Sequence, residues 1–273
     1  MRTRTLALPL AMTLLAATGC TAVAETGSVA GANSLTIGVK YDQPQLGLET
    51  GGSFEGFEVD VATYVADRLG VDPDDITWVG LDSADREDAI RNGDVDLVFA
   101  TYSITQERKA DVGFAGPYYV AHQDILVNAE NTEVEDVTDL EGTRICQAQG
   151  SHSGTRIVEE RGIDAELVEE DNFGDCINTA LAEGQVQAVS TDDLILAGFL
   201  EENPEAFRFV NAPFTDERYG VGIDRDDIAG CEAVNKAITQ MYQDGTAAEL
   251  LQEWFGATDL DLVTSVPQFE GCG

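Results

Sequence analysis

Leu35-Thr36-Ile37-Gly38-Val39, a short apolar, β-branched run, opens the stretch that decides the fold. Behind it, Phe57, Val61, Tyr64, Val65 and Leu69 recur at helical spacing, and Gly70 supplies a stop. A strand over Ile76 to Val79, a short helix over Ser83 to Arg91 and a strand over Val95 to Ala100 follow, giving the order β-α-β-α-β. Such alternation predicts a parallel, doubly wound sheet that takes its ligand at the carboxyl ends of the strands. The pattern then repeats. Strands near Arg144 to Gln147, Glu166 to Val168 and Gln187 to Ser190 alternate with helices near Ser153 to Arg161, Phe173 to Glu183 and Asp193 to Leu200. Two extended segments, Tyr118 to Val127 and Phe207 to Ile223, flank this second unit. Beyond them the amphipathic helices Cys231 to Asp244 and Thr246 to Phe255 carry Val234, Ile238, Met241, Leu250 and Trp254, which need a surface to cover. Placing them on the first unit makes the chain cross twice. The expected organisation is an α/β protein of two lobes: 35–120 and 215–273 form the first, 121–214 the second, and a two-segment hinge spans a cleft suited to a small molecule.

Chemistry concentrates in Asp96-Leu97-Val98-Phe99-Ala100-Thr101-Tyr102-Ser103-Ile104-Thr105-Gln106-Glu107-Arg108. A buried strand runs out at Ala100 into alternating hydroxyls, and Thr105 has the character of an N-cap for a short helix carrying Arg108. Hydroxyls, helix-start amides and a guanidinium fork at a strand's carboxyl end suit a carboxylate ligand. The bland alternative is a surface arginine paired with Glu107 or Asp111, which leaves the hydroxyl run unexplained.

This segment, with Gly56-Phe57-Glu58-Val59-Asp60, Phe114-Ala115-Gly116-Pro117-Tyr118-Tyr119, Gln149-Gly150-Ser151 and Ala188-Val189-Ser190-Thr191-Asp192-Asp193, resembles the family-3 extracellular solute-binding proteins of polar amino acid ABC importers. The resemblance implies a periplasmic-binding-protein-like type II fold, an amino acid ligand, an importer permease as partner and no enzymatic activity. It assigns the ligand's α-carboxylate to Arg108, with hydroxyls from Thr101 and Ser103. The α-ammonium goes to Asp192, and further carboxylate donors to Ser151, His152 and Ser153. His152 stands where threonine is common in the family, and Asp192 could instead cap the helix that follows it. Lys40, ending the first strand, is the candidate reader of a second carboxylate, with help from Arg156 and an apolar wall including Tyr41. Glutamate is therefore the expected ligand, bridging both lobes and closing the hinge.

The ends and the cysteines bear on compartment. Arg2 and Arg4, an apolar run from Leu6 to Ala17 and Ala17-Thr18-Gly19-Cys20 resemble a lipoprotein signal over 1–19, with Cys20 lipidated and 20–34 a flexible tether. The expected location is the extracellular face of the cell membrane, held by lipid alone. Cys146, Cys176, Cys231 and Cys272 remain, an even number that reads as two disulfides with three possible pairings; neighbours in sequence, Cys146–Cys176 and Cys231–Cys272, would each stay within one lobe. With only His122 and His152, and no close cysteine pairs, a zinc site has no support, and no cofactor is expected. A formal charge of −36 disfavours nucleic acid as a partner. A monomer is expected. The rival from another class is a dehydratase-like or hydrolase-like enzyme on the same scaffold, but no Gly-x-Ser-x-Gly elbow, metal cluster or Cys/His nucleophile pair stands in the sequence.

Overall fold

A computed structural model describes residues 27–272, so the signal over 1–19, Cys20 and the first part of the tether lie outside the described residues. In chain order the strands are β1 (Leu35–Val39), β2 (Asp42–Gln43), β3 (Gly47–Thr50), β4 (Ser53–Glu55), β5 (Ile76–Gly80), β6 (Leu97–Phe99), β7 (Gly113–Ala121), β8 (Gln123–Asn128), β9 (Arg144–Ala148), β10 (Glu166–Glu170), β11 (Ala188–Asp192), β12 (Phe207–Phe209) and β13 (Glu217–Ile223). The α-helices are α1 (Phe57–Leu69), α2 (Arg86–Asn92), α3 (Arg108–Asp111), α4 (Ser153–Thr155), α5 (Phe173–Asp175), α6 (Asp193–Glu202), α7 (Ile228–Gln243) and α8 (Thr246–Phe255).

Two five-stranded sheets result, ordered β5-β1-β6-β13-β7 and β10-β9-β11-β8-β12. Neither is purely parallel, which corrects the expectation from alternation. β13 runs against β6 and β7, and β8 against β11 and β12. These are the strands that carry the chain from one lobe into the other, so each enters its new sheet from the hinge side and runs against its neighbours. A small third sheet, β2-β3-β4, was not legible in the polar stretch after Tyr41, and its first strand lies against α5 and α6 of the second lobe.

The first lobe's helices form where the apolar spacing places them. Phe57, Val61 and Val65 of α1, Val234, Ile238 and Met241 of α7, and Leu251 and Phe255 of α8 are buried in one core against β1 and β6. Fully burying side chains of this size contributes about 1.5–3 kcal/mol each. α1 ends at Gly70, whose φ of 90° lets its amide reach the carbonyls of Ala66 and Asp67. In the second lobe α6 covers its expected span, Asp193–Glu202, while the other two expected helices are interrupted. α4 passes into a π-helical stretch over Arg156–Glu160, and α5 into another over Cys176–Leu181.

Both disulfides form between sequence neighbours. Cys146 of β9 joins Cys176 with Cα atoms 5.6 Å apart, and Cys231 of α7 joins Cys272 of the tail at 5.9 Å. The tail end of the tether is anchored, a correction to its expected freedom: Val29 is buried and its amide donates to Asp227 Oδ2 at 2.9 Å.

Candidate functional site

β6 is buried throughout and delivers the hydroxyl run to the cleft. Thr101 adopts φ of 44°, a conformation that disfavours side chains, and its amide donates to the buried carboxylate of Glu58 at 2.6 Å. Its hydroxyl donates to Gln43 Oε1 at 3.2 Å. Thr105 Oγ1 accepts from the Arg108 amide at 3.2 Å, as its capping character predicts, although α3 is only one turn long.

Arg108 is buried and braced. Its guanidinium donates to the Ser103 carbonyl at 2.7 Å and, across the cleft, to the Gly150 carbonyl at 2.9 Å, while Nε lies 3.4 Å from Glu87 Oε1. Arg86, at the start of α2, lies beside it and donates to the carbonyls of Ser83 at 2.9 Å and Ala100 at 2.8 Å, and more weakly to Gly150 at 3.3 Å. Both guanidiniums sit over the Tyr102 ring, at 4.4 and 5.0 Å from its centroid. Burial, then the charge of Arg86, pushes the Arg108 pKa down to about 10. Two cations this close with so little water make a strong seat for an anion.

The facing wall comes from the second lobe. Gly150, at φ of 74°, presents its carbonyl to both arginines, and a side chain there would collide with Ala84. Ser151 Oγ and Ser153 Oγ are 2.6 Å apart. His152 is held below its ordinary pKa by burial and by Arg108, with Nε2 3.7 Å from Glu107. Arg156 forms an ion pair with the buried Glu217. Asp192 ends β11; its side chain makes no capping bond to α6 but accepts from the Tyr219 hydroxyl at 2.7 Å, and burial raises its pKa to about 6. Arg108 and Asp192 thus line one cavity from opposite lobes, with Ser83, Arg86, Thr101, Ser103, Ser151, His152, Ser153, Arg156, Phe173, Thr191, Ile195 and Glu217. The free space left between the walls is about 20 Å³, room for roughly one water molecule, so the two lobes stand nearly in contact here.

Three expected site residues are not in its lining. Lys40 is fully buried, donates to the Leu81 carbonyl at 3.0 Å and pairs with Asp42 at 3.2 Å, because an ammonium so far from water takes the nearest fixed acceptors. Ala100 contributes only its carbonyl, to Arg86, and Tyr41 lies at the lobe boundary, donating to Asp82 at 2.9 Å. Among residues the sequence reading passed over, Arg86 had a usable signal: it opens the helix that follows the carboxyl end of β5, six residues past Gly80. Glu217, Phe173 and Ile195 had none.

The fold and this pair of facing walls agree with comparison to known proteins. Residues 35–257 match the bacterial extracellular solute-binding proteins, family 3. The chain belongs to that family. It is 39% identical to the glutamate-binding protein GluB of Corynebacterium glutamicum over 261 residues, covering 91% of this chain and 85% of that protein. It is 32% identical to the glutamine-binding protein GlnH of Bacillus subtilis, covering 81% of each. Among solved structures, an ancestral arginine-binding protein bound to arginine superposes with a TM-score of 0.76 at 29% identity, covering 83% of this chain and all of that one. The two lobes are those of the type II periplasmic amino acid-binding proteins.

Proposed function

We propose that this protein captures glutamate between its lobes by hinge closure and delivers it to an ABC importer, held at the extracellular face of the membrane by lipid on Cys20. One observation carries the choice of ligand, the charge balance of the cavity. Among the groups that line it, Arg156 and Glu217 neutralise each other, which leaves Arg86 and Arg108 facing Asp192, while Glu87, outside the lining, lies 3.4 Å behind the Arg108 Nε. Two fixed cations and one fixed anion call for a ligand with two carboxylates and one ammonium. In this reading Arg108, aided by Ser103, Ser151 and Ser153, holds the α-carboxylate and Asp192 the ammonium. Arg86, whose donors are occupied by carbonyls, favours the second carboxylate through its field. The identity to a glutamate-binding protein runs the same way.

Titration calorimetry with glutamate, aspartate, glutamine and arginine tests it. Glutamate should bind at least tenfold more tightly than glutamine, and arginine should not bind. Tighter binding of glutamine or arginine refutes the charge argument. A ligand at 100 times its dissociation constant should also stabilise the protein by about 2.7 kcal/mol in thermal unfolding.

A further inference from the structure

Lys40 has no place in the cavity, yet it is one of the most deeply buried cations in the molecule, and its partner explains why. Asp42 opens the small three-stranded sheet of the first lobe. One of its carboxylate oxygens pairs with Lys40 Nζ, and the other accepts from the Gly174 amide of the second lobe at 3.2 Å. Both side chains are almost wholly withdrawn from solvent. Next to them Asn172 of the second lobe donates to the Tyr41 hydroxyl at 3.4 Å. The lobes therefore meet here through fixed groups of the protein, outside the residues that line the cavity.

We propose that the Lys40–Asp42 pair is a closure latch: Lys40 orients the Asp42 carboxylate towards the Gly174 amide, so that closing forms a charge-assisted hydrogen bond whatever ligand is inside. Lys40 is anchored to the Leu81 carbonyl of its own lobe, so the pair moves with the first lobe as a unit. Of the pair's own bonds, opening breaks only the one to Gly174 and leaves Lys40 compensated. Because the latch contacts no ligand, its strength sets how long the closed state lasts and leaves selectivity alone. The inference rests on the closure reading above.

The test measures release by stopped-flow for glutamate and glutamine, together with the radius of gyration of the ligand-free protein. Asp42→Ala should speed release of both ligands about tenfold by removing one charge-assisted bond, with association unchanged. Lys40→Met should do the same, and the double variant should add little. Asp42→Asn, which keeps an acceptor for Gly174, should fall between wild type and Asp42→Ala. Faster release of glutamate alone would make Lys40 a reader of the side chain and overturn the latch, as would unchanged release in Asp42→Ala of native circular dichroism. If wild type binds no amino acid, the closure reading has failed by itself. The radius of gyration then still decides: the variants should be more extended than wild type, and equal radii overturn the latch.

Discussion

The two walls of the cleft are built differently. The first lobe's wall is braced from within: Arg86 and Arg108 are stacked on Tyr102 and tied to carbonyls of Ser83, Ala100 and Ser103, all in their own lobe. The second lobe's wall borrows its order from across the gap. Asp192 is held by Tyr219 of β13 and Arg156 by Glu217 of the same strand, which belongs to the first sheet, while the Gly150 carbonyl is fixed by the two arginines. One wall stands ready-made within its own lobe, as the proposed reading needs for an anion; the other is completed by the strand that returns through the hinge.

This contrast orders the expected effects. Arg108→Ala removes the guanidinium that the proposed reading assigns to the ligand's α-carboxylate and should weaken glutamate binding by about 4 kcal/mol, roughly a thousandfold. A loss of less than tenfold relative to wild type would show that the first wall is not the receptor. Asp192→Asn should cost less, about 2–3 kcal/mol, because the Tyr219 hydroxyl can still pair with the amide; calorimetry on both variants breaks the comparison if the order is reversed. Acid should act on the second wall first. Burial has raised the Asp192 pKa to about 6, and a cationic ligand group favours the ionised form. Protonation as pH falls from 7 to 5 should therefore weaken binding about tenfold. Flat affinity over that range would place the ammonium elsewhere. The smallest effect is Tyr219→Phe, about 1 kcal/mol or fivefold, with the acid midpoint moved up, since the lost hydroxyl was stabilising the carboxylate.

What was legible in the sequence follows the same division. Local periodicity exposed β1, α1, β5 and β6, and the hydroxyl run placed Arg108 at a strand end, because those signals lie within a few residues of one another. The sheet β2-β3-β4 was missed because its strands are two to four residues long and polar. Lys40 was misplaced for a related reason: strand position indicates the end of the sheet at which a side chain lies, but the anion that claims it, Asp42, was hidden in that unread hairpin. The partnership of Asp192 with Tyr219 spans 27 residues and two lobes, and no spacing rule reaches it. The disulfides were readable because each joins sequence neighbours within one lobe.

The return of β13 to the middle of the first sheet, between β6 and β7, sets an order of assembly. Residues 123–209 contain every strand of the second sheet and can pair as they emerge. The first sheet must wait until residue 223 has emerged, and until then β6 and β7 present bare edges on the side that β13 will fill. The inserted lobe is therefore free to mature first and then bring home the strand its elder neighbour lacks. A chain cut short near residue 210 would leave that older half unfinished and prone to clump with its own kind.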